Sequence, residues 1–599
     1  MMKFSTRLLA GILALALAFG LCACSPSAKK NTQVPAPARQ TEKTTESMQS
    51  EQKKPEPSEP ERASSGTAQG TTVGEENRKM LAGDGYYVHR ARTPIAFEDM
   101  DCPQVSQEEF EAKLHAISDA AEKGSAAAFH SACYEAQQAM NRIETAYMLA
   151  MNENAADPMD EETADRMQEL ESFANEMSNL YYGALHEVSL GENQDLLRWE
   201  FEDDLVEFIC SFDLDQAEQL RELEESSTEL ILEYEKAVSE EEPDYDSIAE
   251  LYVKLVKLWK QEAELEGYES FADYAYEAYY LRNYTPADAE KIWETAKEDF
   301  APLLHKYIVR VLDASDTAME QFAYDGSDTA VLQALAYGAG GMSPEVKAAC
   351  DYMIEYGLYD IAYSETKTDQ SYTVWLSEYE VPFIFSSPYG DYYDFCSLFH
   401  EFGHFVADFY SNTQSAADSS DLDLSELQSQ GMEVMFFRFY DEIFGEENAD
   451  AIRAETLINL IDAVVEGAMY DEFQQKVFGE ENLTAQKVQS LFLETCREYG
   501  INEYPGLENH WMDVMHNFEA PFYYVSYAVS AIPALELFIR QEEDAADAMD
   551  TYLRISAMSS VDYYLSDALR KTGLANTMVA SCGDVLAEMI EQSGALDVG

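Results

Sequence analysis

The chain is poor in positive charge. Lysine and arginine number 39 against 114 aspartates and glutamates, so 599 residues carry a formal net charge of −75. Such a surface repels phosphate backbones, which excludes nucleic acid as a partner. Cysteine is scarce as well, at nine. Cys22 and Cys24 fall in the N-terminal leader. Cys102, Cys133, Cys210, Cys350, Cys396, Cys496 and Cys582 are odd in number, widely spaced and never C-x-x-C, which excludes a disulfide framework or a cysteine zinc site. They read as small buried hydrophobes. Past the leader no segment is apolar enough to span a bilayer, and no internal repeat is present. What is there is a globular composition, 46% hydrophobic and 12% aromatic, which rules out a fibrous or wholly disordered chain. The acidity serves solubility first; its second reading is an acidic cleft that draws in cationic ligands.

Lys3 and Arg7 precede an apolar run from Leu8 to Leu21, the layout of a signal peptide. Leu21-Cys22-Ala23-Cys24 resembles the lipobox of bacterial lipoproteins. That resemblance implies removal of residues 1–23, a lipid on Cys24 as the membrane anchor, and an extracytoplasmic body. From Cys24 to Met80 there is no Leu, Ile, Phe, Tyr or Trp, so residues 24–82 are expected to form a disordered tether.

The body reads as helix nearly throughout. Ile248, Leu251, Tyr252, Leu255, Val256 and Trp259 keep a helical spacing. Thr285-Pro286-Ala287-Asp288 is a helix start with an N-cap threonine and proline in the first turn. Glu108 to Asn152 and Ala287 to Ala314 contain few breakers. Tyr372–Leu376 and Val381–Phe385 read as two short strands around Glu378-Tyr379-Glu380, with Phe383-Ile384-Phe385 offering an edge to an extended peptide. The expected fold is all-α with one small sheet.

His400-Glu401-Phe402-Gly403-His404 is an H-E-x-x-H motif. On a helix, imidazoles at i and i+4 project from one face and can share one Zn²⁺ per chain, with Glu401 beside them as a proton acceptor rather than a ligand. A catalytic zinc needs a third protein ligand. Asp423 to Glu433 begins a second helical pattern that brings Glu426, Gln430 and Glu433 to one face, and a glutamate there would complete the set.

The motif together with Ser425-Glu426-Leu427-Gln428-Ser429-Gln430-Gly431-Met432-Glu433 resembles the zinc site of the M3 oligopeptidases, the family of thimet oligopeptidase, neurolysin and oligoendopeptidase F. The resemblance makes Glu426 the third ligand and leaves Glu433 a supporting or helix-packing role. His516-Asn517-Phe518-Glu519-Ala520-Pro521-Phe522-Tyr523-Tyr524-Val525-Ser526-Tyr527-Ala528 is similar to the substrate-facing stretch of the oligoendopeptidase F branch. It implies His516 and Tyr527 as hydrogen-bond donors to the developing oxyanion, with Tyr524 and Tyr523 behind them. Glu519-Ala520-Pro521 departs from the glycine-rich loop of the thimet branch. The family implies a two-lobed helical body, here 83–340 and a catalytic lobe 341–599, with the sheet beside the zinc and a deep channel. It also implies a monomeric zinc endopeptidase acting on short unfolded peptides by glutamate-assisted attack of water. Two other readings stand beside it: a peptidyl-dipeptidase resembling angiotensin-converting enzyme, and a non-catalytic peptide-binding lipoprotein.

Overall fold

A computed structural model describes residues 86–598, with breaks at 91, 102–103, 202, 241, 323, 325, 365, 369, 412, 414–419, 503 and 576–582. The signal peptide, Cys24 and the tether lie outside the described residues, as do Cys102 and Cys582. No described helix is long and apolar enough to cross a membrane.

Helices dominate, and their boundaries follow local chemistry. The long breaker-poor run is split into α1 (Gln107–Glu122) and α2 (Ala126–Ala156). Gly124 takes a positive φ of 64° and the Ser125 side chain caps α2 by accepting from Ala128 N. Further on come α3 (Glu161–Ser189), α4 (Leu214–Val238) and α5 (Tyr245–Leu265). Thr285 caps the helix Pro286–Thr295 with a reciprocal capping box to Asp288. That helix does not run straight into α6 (Ala301–Gln321): a π-helical turn, Ala296–Phe300, intervenes. Pro302 has no N–H for the helical ladder there, which loosens the register.

A three-stranded sheet, ordered β1-β3-β2, follows: β1 (Tyr359–Asp360), β2 (Ser371–Leu376) and β3 (Val381–Ser386). β2 and β3 are an antiparallel hairpin registered Ser371 to Ser386 and Leu376 to Val381; β1 joins β3 in parallel. This corrects the expectation of an edge at Phe383–Phe385, because β1 pairs there and makes β3 the central strand. Two residues of β1 give too little alternation to register as a strand in the sequence. The edge strands are β1 and β2.

The half that carries the H-E-x-x-H motif is built on α7 (Tyr393–Tyr410), α8 (Leu422–Phe436), α9 (Glu446–Gly479) and α10 (Val525–Glu543). The molecule is two-lobed. A smaller hydrophobic core draws on residues 105–217, and a larger one contains Tyr147, Trp259, Phe399, Phe436 and Trp511. α2 enters both: Phe129 to Ile143 pack in the first, Tyr147 to Ala155 in the second. Its flank also fixes the sheet, since Ser377 Oγ donates to Glu144 Oε2 and Tyr372 Oη to Asn152 Oδ1, each at 2.8 Å. Of the described cysteines, Cys133, Cys350 and Cys496 are buried, Cys396 is half-buried and Cys210 is exposed; none is in a disulfide.

Candidate active site

Two helices bring the motif residues together. α7 carries His400, Glu401 and His404, and α8 carries Glu426 and Glu433. The helices approach closely because Gly403 has no side chain: a Cβ there would lie 2.6 Å from Ser429 Cα and 2.8 Å from the Gln428 carbonyl oxygen. His400, His404 and Glu426 are all buried, and one ligand atom from each lies within 4.8 Å of the others. His400 Nε2 is 3.6 Å from Glu426 Oε2.

Each ring is oriented through its other nitrogen. His400 Nδ1 is 2.7 Å from Glu433 Oε1, and His404 Nδ1 is 3.1 Å from Ser425 Oγ. Those bonds leave Nε2 as the ligating atom of each imidazole. His400 Nε2 is buried without a hydrogen-bond partner, a costly state unless a ligand completes it. Burial pulls the His400 pKa down, but the Glu433 hydrogen bond and the carboxylates of Glu433, Glu426 and Glu401 push it up to about 9. Surroundings that favour positive charge at His400 favour a metal cation at the same point. Two imidazoles and one carboxylate are also a recurrent catalytic zinc set. The cluster therefore fits zinc.

Glu401 is fully buried beside this cluster. Thr373 Oγ1, on β2, donates to Glu401 Oε2 at 2.9 Å, whereas Glu401 Oε1 has no hydrogen-bond partner. Burial raises its pKa to about 8, against the opposing influence of His400 and Thr373. His404 is held neutral by burial and by the neighbouring His400.

The C-terminal block arrives on the short helix His516–Glu519 and the start of α10. Tyr523 Oη donates to Glu426 Oε1 at 2.5 Å, a direct contact with a ligating carboxylate. Tyr527 Oη lies 3.4 Å from His516 Nε2. Burial lowers the His516 pKa to about 4, so the ring is neutral near pH 7. The Tyr524 ring packs edge-on against His516 at 5.0 Å and Tyr470 at 5.2 Å. The four residues thus share one aromatic cluster, from which Tyr523 reaches Glu426.

Sequence reasoning missed Thr373, Ser425 and Gly403 as parts of this arrangement. Gly403 alone left a signal, a glycine inside an amphipathic helix at the ligand positions.

Residues 345–567 match the sequence profile of peptidase family M3. The chain is an M3-like zinc metallopeptidase. No curated protein matches it in sequence. Among solved structures it resembles a protein provisionally named oligoendopeptidase F and PZ peptidase A with an inhibitor. Each is 21% identical, with a TM-score of 0.69 over 84% of this chain and 99% of the other. A provisionally named oligoendopeptidase F from Bacillus anthracis strain Ames is 16% identical, with a TM-score of 0.66 over 83% and 98%. At these identities the likeness is one of fold. The M3-like fold carries the metal cluster at the junction of α7 and α8.

Proposed function

We propose that the M3-like metallopeptidase hydrolyses internal bonds of short, unfolded peptides. The observation that carries this reading is the buried His400–His404–Glu426 cluster with the unpartnered Oε1 of Glu401 beside it. Zinc, when bound by those three side chains, supplies Lewis acidity for the carbonyl and for the attacking water. Glu401 accepts the water proton and passes it to the leaving amine. Tyr527 and the neutral His516 donate to the carbonyl oxygen as charge develops on it, and Tyr524 packs behind His516. Tyr523 holds Glu426 in its ligating orientation.

The names of the fold relatives, two oligoendopeptidases F and a PZ peptidase, support endopeptidase over dipeptide-releasing chemistry. The same proposal takes residues 83–340 as the N-terminal helical lobe and residues 341–599 as the catalytic helical lobe. The leader supports export and lipidation at Cys24, which Cys24→Ser tests by moving the protein out of the membrane fraction.

Purified protein is to be assayed on an internally quenched peptide blocked at both ends, with and without chelator. Cleavage that chelator stops and zinc restores supports the reading. Glu401→Gln is expected to retain zinc yet lose at least about 10²-fold in turnover; unchanged turnover means that the base is elsewhere. Cleavage confined to peptides with a free C-terminal carboxylate favours dipeptide release instead.

A further inference from the structure

The Glu401 carboxylate is held at one oxygen. Among the described residues the side chain that donates to it is Thr373, whose Oγ1 lies 2.9 Å from Oε2, while Oε1 has no partner. Thr373 is 7% exposed and Glu401 not at all, so bulk water does not take the threonine's place.

The donor is fixed by the sheet rather than by a loop. Thr373 sits inside β2, paired with Ile384 of β3, a residue with no exposed surface. Two residues back, Ser371 Oγ accepts from Ser397 Oγ of α7 at 3.0 Å and meets Ser386 Oγ of β3 at 2.8 Å. Side chains two apart on a strand share a face, as do side chains four apart on a helix. The two steps are close in length, about 6.6 Å along β2 and about 6 Å along α7. Ser371 and Thr373 therefore meet Ser397 and Glu401 in matching register. The branched β-carbon of threonine also restricts its χ1.

Satisfying a buried hydroxyl does not by itself account for the contact. The Glu401 backbone carbonyl lies 3.1 Å from the same Oγ1 and would serve a threonine with no further task. A hydroxyl has one proton to donate. The shorter approach is to the carboxylate, which when ionised is the stronger acceptor.

We propose that Thr373 is a positioning residue for the general base: by engaging Oε2 it fixes the plane of the Glu401 carboxylate and leaves Oε1 to accept the proton of the attacking water. The inference rests on the peptidase reading and deepens it by giving the two carboxylate oxygens different tasks. Thr373 acts through Glu401, not on the peptide.

Thr373→Val keeps the shape of the side chain and removes the donor, whereas Thr373→Ser keeps the donor. On the quenched peptide the valine variant is expected to lose about 10–100-fold in kcat, with KM within about twofold and zinc content unchanged. The serine variant should recover kcat to within about threefold of the unsubstituted protein. Ser371→Ala removes the other β2 hydroxyl that meets α7 and should also stay within about threefold. Added to Glu401→Gln, Thr373→Val should change the residual rate by less than about twofold, since the group it positions is no longer a base. Thr373→Ala gives a second measure of the same loss. Full kcat in the valine and alanine variants overturns the assignment. So does an equal loss in Ser371→Ala, which would mark the docking of β2 on α7 as the cause.

Crystal structures of the zinc-free unsubstituted and Thr373→Val proteins read the contact without turnover. The Glu401 carboxylate is expected to turn in the variant, and an unmoved carboxylate overturns the proposal. A turned carboxylate, in a protein that in unsubstituted form cleaves no peptide, would keep the positioning contact and sink the peptidase reading. Chelator-sensitive cleavage at a kcat that Thr373→Val leaves intact would do the reverse.

Discussion

Arg282 donates a hydrogen bond to the carbonyl oxygen of Phe522 at 2.9 Å. The guanidinium also donates to Ser526 Oγ at 2.8 Å and faces Asp423 Oδ1 at 3.5 Å, lying over the rings of Tyr276 and Tyr280. Phe522 has a φ of +69°, an unfavourable conformation for a bulky residue. Tyr280 Oη donating to the Pro521 carbonyl at 3.0 Å and Phe522 N–H donating to Gln474 Oε1 at 2.6 Å hold it there. One buried cation thus ties the first turn of the Glu426 helix to the backbone that aims Tyr523 at Glu426. Arg282→Met leaves Asp423 buried without its charge partner, and is expected to cost about 3–5 kcal/mol. Urea unfolding checks this, and Arg282→Lys should recover part of the loss.

Glu433 accepts from His400 Nδ1, whereas His404 Nδ1 faces the Ser425 hydroxyl. Glu433→Ala is expected to weaken zinc binding about 10–100-fold by releasing the ring and lowering its basicity. Ser425→Ala removes a weaker neutral bond and should cost less. Competition with a chromophoric chelator measures both, and equal affinities would show that Glu433 only packs.

The ligands were legible because helical periodicity is a local rule: five residues place His400 and His404 on one face with no knowledge of the rest of the fold. The all-helical body, the hairpin and the Thr285 cap follow from the same kind of local pattern. Contacts between distant elements do not. Thr373 against Glu401, and Arg282 against Phe522, join segments tens to hundreds of residues apart and leave no periodic trace. The break at Gly124 and the π turn before α6 were carried by single residues inside strongly periodic runs. The family resemblance put Tyr527 ahead of Tyr524 and Tyr523, but nothing in the sequence marked Tyr523 as the one aimed at Glu426, since the three differ in direction rather than chemistry.

That difference in direction predicts different phenotypes. Tyr523→Phe removes the donor to Glu426 Oε1 and is expected to lower zinc retention along with activity. Tyr527→Phe removes the hydroxyl that lies 3.4 Å from His516 Nε2 and is expected to reduce kcat by about 10²–10³ at full zinc content. Metal analysis beside steady-state kinetics separates the two. Zinc loss in the Tyr527 variant would reverse the assignment.

Buried acids set the pH dependence of stability. Burial raises Glu262 and Asp408 to about 7, the former against a hydrogen bond from Tyr274. Their folded pKa values lie above the unfolded ones of roughly 4. Their stabilising contribution is therefore fully present below about pH 4 and is lost as pH rises through 7. His404 and His516, kept neutral by burial, act in the opposite sense below about pH 6.5. In chelator, Tm should thus fall from pH 6.5 to pH 8, and less steeply in Glu262→Gln. A Tm that rises over that interval contradicts the assignment.

Gly403 sets the distance between the two ligand-bearing helices. Its missing side chain is what lets α7 rest on the backbone of Ser429 and Gln428, and neither contact can yield as a flexible side chain would. Gly403→Ala gains helix propensity of about 1 kcal/mol, yet it must push α8 away and carry Glu426 from His400 and His404. Overpacking of this kind costs about 1–3 kcal/mol, so net stability should change little or fall modestly. Zinc affinity should fall much further, because ligation tolerates displacements of only a few tenths of an ångström. Melting in chelator reports the first effect and zinc titration the second. Unimpaired zinc binding in a folded Gly403→Ala protein would show that the helices can separate without parting the ligands.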